Sequence, residues 1–487
     1  RSMQVLSAGG RVPLSPTRVH VNVPFAPKHP GGAARGALMA PPSFVQRTIS
    51  SPTNIAVIKY WGKREQKLIL PINSSVSVTI DQADLATTTT VTASATYDRD
   101  RLWLNGEEED ITDNKRVQRV LAEIRARAGD LVDEQSGAML VKASEWASMR
   151  VQIVSINNFP TAAGLASSAA GYAALAFALA KLYGVDKRYD LDEISIIARI
   201  GSGSACRSIH GGFVAWDMGK KADGSDSKAR LVGPASHWPD LRVLICVVSD
   251  SKKAVSSTAG MQTSVDTSPL LAHRAATVVE PRLKAMEAAY HARDFATFAK
   301  LSMQDSNQFH ATCLDTYPPI FYLTDTSRAI ILLCHALNDA CGEVVCGYTF
   351  DAGPNAVLLT TAKYMPILAA AVSHFFPPPP ETASTYINKP EMRAAAREAK
   401  LPEALLNNFK LVPQRGAVKY LYVTGIGPGA HLLPPSASLA DAHGMPIYTK
   451  AEANAPMKPK PSLQASVALG TAVAVAVVAA IVAMRSR

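Results

Sequence analysis

The chain has 487 residues, of which 47% are hydrophobic and 18% charged, so it is long enough for two packed lobes and is not a wholly disordered protein. The formal net charge of +10 lies at the ends, because residues 1–47 contain six basic and no acidic residues and residues 450–487 contain five basic residues against Glu452. The body between them is neutral and lacks a basic stripe with interleaved aromatic residues, so no nucleic-acid partner is expected.

The first half of the chain is predicted to hold an extension, several strands and three helices. Residues 1–47 are rich in Pro, Gly, Arg and Ser, which leaves two interpretations open, a disordered extension and a targeting peptide. Short β-branched runs predict strands between residues 49 and 92, and another strand is predicted at Val151–Ile156. Helices are predicted at Asp113–Arg127, Ala163–Tyr183 and Leu191–Ile200.

The second half is predicted to begin with a buried strand at Leu241–Val248 and to continue with helices over residues 268–340. Residues 349–359 return to strand with a turn at Asp351–Pro354 inside it, and Lys419–Thr424 is the last strand. Strands and helices in mixed order, without an internal repeat, predict an α+β protein of two lobes.

These elements divide the chain into five predicted segments. They are the extension 1–47, an N-terminal lobe 48–238, a C-terminal lobe 239–430, a linker 431–464 and an apolar segment 465–484. The apolar segment is uncharged and consists mostly of Ala and Val, and about 20 apolar residues suffice for a membrane-spanning helix. A tail anchor in an organelle membrane is therefore favoured slightly over an Ala-rich helix that packs on the body or stays loose.

The six cysteines include no C-x-x-C pair. In a chain of this length they predict free thiols in a reducing compartment, which favours a cytoplasmic catalytic body. Cys341 and Cys346 lack a matching histidine spacing, so buried structural thiols are favoured over a zinc site.

The segment Asn157–Gly171 follows a predicted strand and opens a predicted helix with small residues, including Ser167 and Ser168. The free N–H groups and the dipole of a helix start favour phosphate, and the serine hydroxyls add donors. The segment is not a Walker A loop, because no Gly-Lys-Ser/Thr follows. Tight packing of an Ala/Gly helix is the competing interpretation.

Two further motifs contain residue types that bind anions. Gly201–Arg207 has a Gly/Ser turn that can cradle an anion, followed by a guanidinium suited to carboxylate or phosphate, although such runs are more often plain loops. Asn54–Lys63 places Lys59 and Lys63 beside two aromatic residues, which suits a nucleotide or phosphates as well as a solvated strand end.

Two more motifs are ambiguous when each is taken alone. In Phe350–Ala356, Asp351 is either a functional acid or an ordinary turn former. Ser256–Met261 is a flexible loop or a helix N-cap, with a nucleotide lid as the more specific alternative. Together, the five motifs supply two phosphate cradles, an arginine, lysines and one embedded acid, a combination that indicates phosphoryl transfer to a phosphorylated and carboxylated small molecule.

In this order, the motifs closely resemble those of mevalonate diphosphate decarboxylase in the GHMP kinase superfamily. The resemblance spans about residues 48–429 and includes His310–Pro319. It departs at the first 47 residues, near residues 377–400 and in the apolar tail. It implies a two-lobed GHMP-kinase-like α+β fold, with an S5-like N-terminal lobe, a ferredoxin-like C-terminal lobe and a deep cleft.

The resemblance further implies a homodimer that uses ATP with Mg²⁺, with metal ligands that the motifs do not identify. The expected reaction converts mevalonate 5-diphosphate to isopentenyl diphosphate, ADP, phosphate and CO₂, in the route to isoprenoids and sterols. By resemblance, Asp351 abstracts or orients the proton of the C3 hydroxyl, and Arg207 holds the substrate carboxylate and orients Asp351.

The other site residues are implied by the same match. Substrate binding is expected at Asn54, Lys59, Tyr60, Trp61, Gly62, Lys63, Arg116, Ser202, Gly203, Ser204, Ala205, Cys206 and Arg207. ATP phosphate binding is expected at Ser167, Ser168 and Thr258. Two other functions compete with this one. They are a small-molecule kinase of the same superfamily and an inactive, membrane-tethered binding protein.

Overall fold

The computed structural model describes residues 44–159, 167–249 and 254–453. The strands within these ranges are β1 (Val45–Pro52), β2 (Asn54–Ile58), β3 (Lys63–Glu65), β4 (Leu70–Pro71), β5 (Ser75–Thr79), β6 (Ala86–Ser94), β7 (Arg101–Leu104), β8 (Glu107–Glu109), β9 (Leu131–Val132), β10 (Met139–Val141), β11 (Arg150–Asn157), β12 (Phe213–Trp216), β13 (Ala229–Gly233), β14 (Leu241–Val247), β15 (Cys346–Phe350), β16 (Ala356–Thr361), β17 (Tyr420–Gly425) and β18 (His431–Leu432).

The helices in the same ranges are α1 (Lys115–Ala126), α2 (Ser167–Leu182), α3 (Leu191–Gly201), α4 (Cys206–Ile209), α5 (Ser257–Thr267), α6 (Pro269–His273), α7 (Val279–Ala292), α8 (Phe295–Asp315), α9 (Asp325–Cys341), α10 (Met365–Phe375), α11 (Pro390–Glu398), α12 (Glu403–Asn408) and α13 (Lys450–Ala453). One π-helical turn at Arg274–Val278 precedes α7.

A six-stranded sheet with the order β18-β1-β6-β11-β7-β8 forms one side of the N-terminal lobe. Its neighbouring strands are antiparallel except for β11 and β7. The alanine-rich helix α2 lies against β1 and β6, and its small buried side chains let the helix backbone approach the sheet closely. The packing fixes the start of α2, which is the end that faces the site described below.

Two four-stranded antiparallel sheets, β13-β12-β5-β2 and β15-β16-β14-β17, lie on either side of a shared apolar core. Val57 and Val78 of the first sheet, Ile245 of the second and Phe298 of α8 are all fully buried in this core. Helices α9 and α10 cover the other face of the second sheet, through residues such as Leu333 and Val372. The two lobes are therefore joined by packed side chains as well as by the chain itself.

Most elements predicted from the sequence are confirmed within one or two residues at each end. The predicted helix at residues 113–127 is α1, whose buried residues lie at helical spacing and whose first turn is capped by the side chain of Asn114. The strands predicted at residues 241–248 and 419–424 are β14 and β17. The predicted turn at residues 351–354 separates two antiparallel strands, β15 and β16, so Asp351 lies in a turn and not inside a strand.

Two predicted boundaries are wrong. Strand β1 begins at Val45, so residues 45–47 belong to the first sheet and not to the extension, because they pair with β6. Residues 431–453 do not form a free linker, because β18 pairs with β1 and Tyr448 packs near Trp103 and Ala440. The polar residues in these two segments interrupt the apolar pattern, so the sequence does not indicate that the segments pack on the lobe.

Helices long and apolar enough to cross a bilayer are absent from the described ranges. The apolar segment 465–484 lies outside those ranges, as do residues 1–43, so the tail anchor and the targeting peptide stay predictions.

Replacing Tyr448 with alanine tests the docking of the C-terminal segment. Tyr448→Ala is expected to lower the free energy of unfolding by roughly 2–3 kcal/mol, because it removes an aromatic ring from a small apolar cluster with Trp103, Val154 and Ala440. The neighbouring Ile447 is 61% exposed, so Ile447→Ala serves as the control and should change stability by less than about 0.5 kcal/mol. Chemical denaturation followed by circular dichroism measures both, and equal effects would contradict the docking.

Candidate active site

A cavity of about 410 Å³ opens between the lobes and collects most of the residues predicted for the site. The described residues that line it are Asn54, Ala56, Lys59, Tyr60, Trp61, Lys63, Ile69, Arg116, Ser167, Ser168, Ser202, Gly203, Ser204, Arg207, Ser256, Ser257, Thr258, Met261, Phe309, Asp351 and Ala352. Four of these carry positive charge and one, Asp351, carries negative charge, so the described lining favours anionic ligands.

An ion pair between Lys59 and Asp351 closes the inner end of the cavity. Lys59 follows β2 in the N-terminal lobe, Asp351 follows β15 in the C-terminal lobe, and Nζ lies 2.7 Å from Oδ1. The lysine side chain is 3% exposed and the aspartate 37% exposed. Burial lowers the pKa of Lys59 below its ordinary value, while Asp351 acts in the opposite direction and helps to hold the proton.

Arg207 is a buried guanidinium near this pair, held by neutral groups. Its Nη1 donates to Ser75 Oγ at 2.7 Å, and its Nε donates to Ser77 Oγ at 3.1 Å and to Asn54 Oδ1 at 3.3 Å. Burial lowers the pKa of Arg207, and no carboxylate of the described ranges lies within ion-pair distance of it. Its charge is therefore oriented by hydrogen bonds and available to an anion in the cavity.

Asn54 links Arg207 to the loop that carries the second serine motif. Its Nδ2 donates to the carbonyl of Ser204 at 3.0 Å and to Ser208 Oγ at 2.8 Å. Gly203 allows this loop to pack closely, because a Cβ there would lie 2.9 Å from the ring of Trp216. Ser202 and Ser204 thus line the cavity next to the guanidinium.

The outer end of the cavity carries two cations, Lys63 and Arg116. Burial lowers the pKa of Lys63, and the neighbouring Arg116 and Arg119 lower it further. The only hydrogen bond of the Lys63 ammonium among the described residues goes to Gln66 Oε1, at 3.3 Å. An anion placed between Lys63 and Arg116 would relieve this repulsion. The hydroxyl of Tyr60 is buried nearby and has no hydrogen-bond partner within the ranges described.

Two helix starts point at the same cavity. Ser167 and Ser168 lie in the first described turn of α2, and Ser256 caps α5 by accepting from the N–H of Ala259 at 3.2 Å. The N-termini of helices favour phosphate through their free N–H groups and their dipoles. Thr258, in the first turn of α5, accepts from Arg116 Nη2 at 3.1 Å and so connects the two lobes at the mouth. Pro160–Ala166 of the predicted phosphate loop lie outside the described residues.

Three residues predicted for the site do not line the cavity. Ala205 is fully buried in the core of the N-terminal lobe, and Cys206 packs against Trp216 with its Sγ donating to the carbonyl of Gly203 at 3.0 Å. Gly62 adopts a positive φ of 96°, where its Cβ-free backbone turns the chain between Trp61 and Lys63. These three residues shape the loops that carry the lining side chains.

Comparison with known proteins identifies the family. Residues 51–229 match the family model of the diphosphomevalonate decarboxylase-like N-terminal domain, and residues 243–433 match that of the mevalonate 5-diphosphate decarboxylase C-terminal domain. The diphosphomevalonate decarboxylase of Homo sapiens is 51% identical over 400 residues, which cover 82% of this chain and 96% of that protein. The chain belongs to the mevalonate diphosphate decarboxylase family.

Solved structures of this decarboxylase family share the fold. The mevalonate diphosphate decarboxylase from Trypanosoma brucei is 38% identical, with a TM-score of 0.72 over 81% of this chain and 100% of that chain. A structure of MDDEF in complex with MVAPP, AMPPCP and magnesium is 31% identical, with a TM-score of 0.59 over 80% of this chain and 99% of that chain. The predicted two-lobed GHMP-kinase-like fold is thereby confirmed.

The residues that hold the backbone of Lys59 were not predicted from the sequence. Asp305 and Arg274 are completely buried and hydrogen-bonded to the backbone of Lys59. A usable signal was present, because Asp305 lies on the buried stripe of α8 between Ser302 and Phe309, where an acid is costly unless it is paired.

The pKa values of Lys59 and Lys63 are lowered from the ordinary lysine value of 10.5. We therefore expect activity to be lost as the pH rises, at a pH below 10.5. As the pH rises, each lysine loses the charge that engages Asp351 or an anionic ligand. In Lys59→Arg the guanidinium stays charged, so the part of the alkaline limb due to Lys59 should move to higher pH, even where the rate at neutral pH falls.

The pH dependence of kcat/KM for wild type, Lys59→Arg and Lys63→Arg separates the two lysines. If Lys59→Arg left the alkaline limb of the pH profile unchanged, deprotonation of Lys59 would not be its cause. A shift of this limb in Lys63→Arg alone would assign it to Lys63.

Proposed function

We infer that the chain catalyses the ATP-dependent decarboxylation of mevalonate 5-diphosphate to isopentenyl diphosphate, with release of ADP, phosphate and CO₂. The observation that carries this conclusion is the placement of Asp351, Arg207 and two helix N-termini around one cavity, in a chain of the mevalonate diphosphate decarboxylase family. An acid, an oriented guanidinium and phosphate-binding helix starts are the groups that this reaction needs.

The chemistry explains why these groups must share one cavity. The C3 hydroxyl of the substrate is a tertiary alcohol, which is a poor nucleophile and a poor leaving group. Transfer of the γ-phosphoryl group of ATP to this oxygen turns it into a leaving group. Loss of phosphate then builds positive charge at C3, and the electron pair of the C–COO⁻ bond relieves it as CO₂ departs. The protein contributes chiefly by holding phosphate, hydroxyl and carboxylate together.

Asp351 is proposed to receive or orient the proton of the C3 hydroxyl. Lys59 supports this role by fixing one oxygen of the carboxylate at 2.7 Å. The partial exposure of Asp351 lets a substrate in the cavity approach it. Lys59 is proposed to orient the carboxylate of Asp351, and its ammonium, which also lines the cavity, has further donors for a ligand.

Arg207 is proposed to hold the substrate carboxylate. Three neutral acceptors, Ser75, Ser77 and Asn54, orient the guanidinium without neutralising it. A carboxylate bound there would be kept near Asp351, which also acts electrostatically on Arg207. This placement holds the carboxylate in position while phosphate leaves C3, so that the electron pair of the C–COO⁻ bond can relieve the positive charge that develops there.

The two phosphate-rich ligands are proposed to occupy opposite parts of the cavity. Lys63 and Arg116, with Ser202, Ser204 and Tyr60, bind the diphosphate of the substrate, because the cations lack a carboxylate partner among the described residues. Ser167 and Ser168, at the start of α2, bind the phosphates of ATP together with the region around Thr258.

An ATP cosubstrate is supported by the relative solved with MVAPP, AMPPCP and magnesium. For this chain we propose that Mg²⁺ enters with ATP and is held mainly by phosphate oxygens, with the hydroxyls of Ser167 or Ser168 as protein ligands. The described lining fits such an ion, because it offers serine hydroxyls and the carboxylate of Asp351 as oxygen ligands. The ion would neutralise charge on the transferring phosphoryl group.

Assembly and location also remain proposals. A homodimer is supported by apolar side chains exposed at the end of α8 and just after it, with Leu314 54%, Tyr317 78% and Phe321 75% exposed. A cytoplasmic catalytic body is supported by the six free cysteines. Membrane tethering through residues 465–484 rests on composition alone.

Product analysis with Asp351→Asn tests the function. With ATP and mevalonate 5-diphosphate, the wild-type protein should release ADP, phosphate and CO₂ in equal amounts. Asp351→Asn should keep the fold and lower kcat by a factor on the order of 10³, because an amide cannot accept the proton. The control is Asp217→Asn, since Asp217 is also partly exposed and ion-paired, with Arg230 at 3.0 Å, but lies outside the cavity.

A kinase that stops at the phosphorylated product would yield ADP without phosphate or CO₂, and that result from the wild type would overturn the decarboxylase assignment. Near-normal CO₂ release by Asp351→Asn would overturn only the role of Asp351.

Arg207→Lys tests the carboxylate clamp. The ammonium keeps the charge but loses the planar fork, so kcat should fall roughly 10- to 100-fold. Arg199→Lys is the matched control, because Arg199 is also fully buried, donates to backbone carbonyls such as that of Leu68 at 3.0 Å, and lies outside the cavity. It should lose stability and keep its turnover. An unchanged kcat in Arg207→Lys would show that the carboxylate is held elsewhere.

A further inference from the structure

A group of charged residues is buried directly behind Lys59, outside the cavity lining. Asp305 of α8 and Arg274 of the π-helical turn before α7 have completely buried side chains, and Arg282 of α7 is 15% exposed. Burying a carboxylate and two guanidiniums is expensive, so their arrangement calls for a local explanation.

The three residues are tightly interconnected. Arg274 grips Asp305 with both ends of its fork, at 2.8 Å from Nη1 to Oδ1 and 2.9 Å from Nη2 to Oδ2. Arg282 Nη1 adds a third bond to Oδ1 at 2.9 Å. Gln308 Oε1 accepts from both arginines, at 2.7 Å and 2.9 Å. These bonds hold the pKa of Asp305 below its ordinary value, although burial alone would raise it.

The same group satisfies the backbone of Lys59. Pairing between β2 and β5 is irregular beyond Ala56, and Lys59 follows the end of β2, so its buried N–H and C=O need other partners. The N–H donates to Asp305 Oδ2 at 2.7 Å. The carbonyl accepts from Arg274 Nη2 at 3.2 Å and from Asn73 Nδ2 at 3.0 Å.

Lys59 is therefore held at both backbone groups, and from this anchored position its Nζ reaches Asp351 Oδ1 at 2.7 Å. Arg282 contacts the same carboxylate but has no hydrogen bond to Lys59 among the described residues. Two arginines thus stabilise Asp305. Only one of them, Arg274, is also hydrogen-bonded to the backbone of Lys59.

We propose that Asp305 and Arg274 are positioning residues for the reaction, which fix the backbone of Lys59 so that its ammonium orients Asp351. This inference rests on the proposed function. Neither residue touches the substrate. Both act through Lys59, so two residues of the C-terminal lobe position a residue of the N-terminal lobe.

The test compares Arg274→Lys with Arg282→Lys. Each variant keeps a positive charge and replaces a guanidinium that is hydrogen-bonded to Asp305, with two bonds in the case of Arg274 and one in the case of Arg282, so both are expected to lose stability. Only Arg274→Lys also loosens the carbonyl of Lys59. Arg274→Lys should lower kcat by about 10-fold or more, because the position of Asp351 matters for the chemical step. The KM for ATP and the KM for mevalonate 5-diphosphate should both stay within about two-fold of wild type. Arg282→Lys should keep kcat within about two-fold of wild type.

A Lys59→Met background separates positioning from general destabilisation. Without the ammonium there is no ion pair to orient, so adding Arg274→Lys to Lys59→Met should leave the residual kcat unchanged. Steady-state CO₂ release at temperatures below the melting transition of every variant provides the measurement.

The inference is overturned if Arg274→Lys and Arg282→Lys lower kcat equally, or if Arg274→Lys lowers kcat by the same factor in both backgrounds. Absence of CO₂ release by the wild type would instead contradict the proposed function, so the two failures are distinguishable.

Discussion

The ion pair between Lys59 and Asp351 is the contact on which the arrangement of the site depends. It joins the end of β2 in one lobe to the turn after β15 in the other, at the inner end of the cavity. A buried lysine is stable only when its charge is compensated, and a carboxylate that is to handle a proton must be held in one orientation. One bond of 2.7 Å meets both requirements, and the packed core between the two four-stranded sheets keeps the lobes close enough to maintain it.

The other charged side chains of the site are positive and match the negative charges of the proposed ligands. Lys63, Arg116 and Arg207 line the cavity, where Asp351 is the one acid among the described lining residues. Burial lowers the pKa of Lys63 and of Arg207, and the neighbouring Arg116 lowers that of Lys63 further. A substrate with a diphosphate and a carboxylate, and a nucleotide with three phosphates, would supply the missing negative charge. Bound anions would compensate these positive charges, which favours the binding and orientation of anions over neutral molecules.

The sequence predicted the fold class, most elements and most of the cavity lining, because each rests on local pattern or on motifs. Asp351, Arg207 and the serines were found because they stand in recognisable turns and helix starts. The docking of residues 431–453 and the residues behind Lys59 were missed for a different reason. They depend on contacts between distant parts of the chain, such as Asp305 with Lys59. The buried stripe of α8 marks Asp305 as an acid that needs a partner, but it does not identify that partner. Cys206 was selected by its place in a motif, but its side chain turns into the core.

A crystal structure of the protein with mevalonate 5-diphosphate and a non-hydrolysable ATP analogue would test the arrangement most directly. We expect the C3 hydroxyl to lie about 2.6–3.2 Å from a carboxylate oxygen of Asp351 while the guanidinium of Arg207 binds the substrate carboxylate. A complex in which Arg207 binds a phosphate group, or in which Asp351 lies beyond hydrogen-bond reach of the hydroxyl, would contradict it.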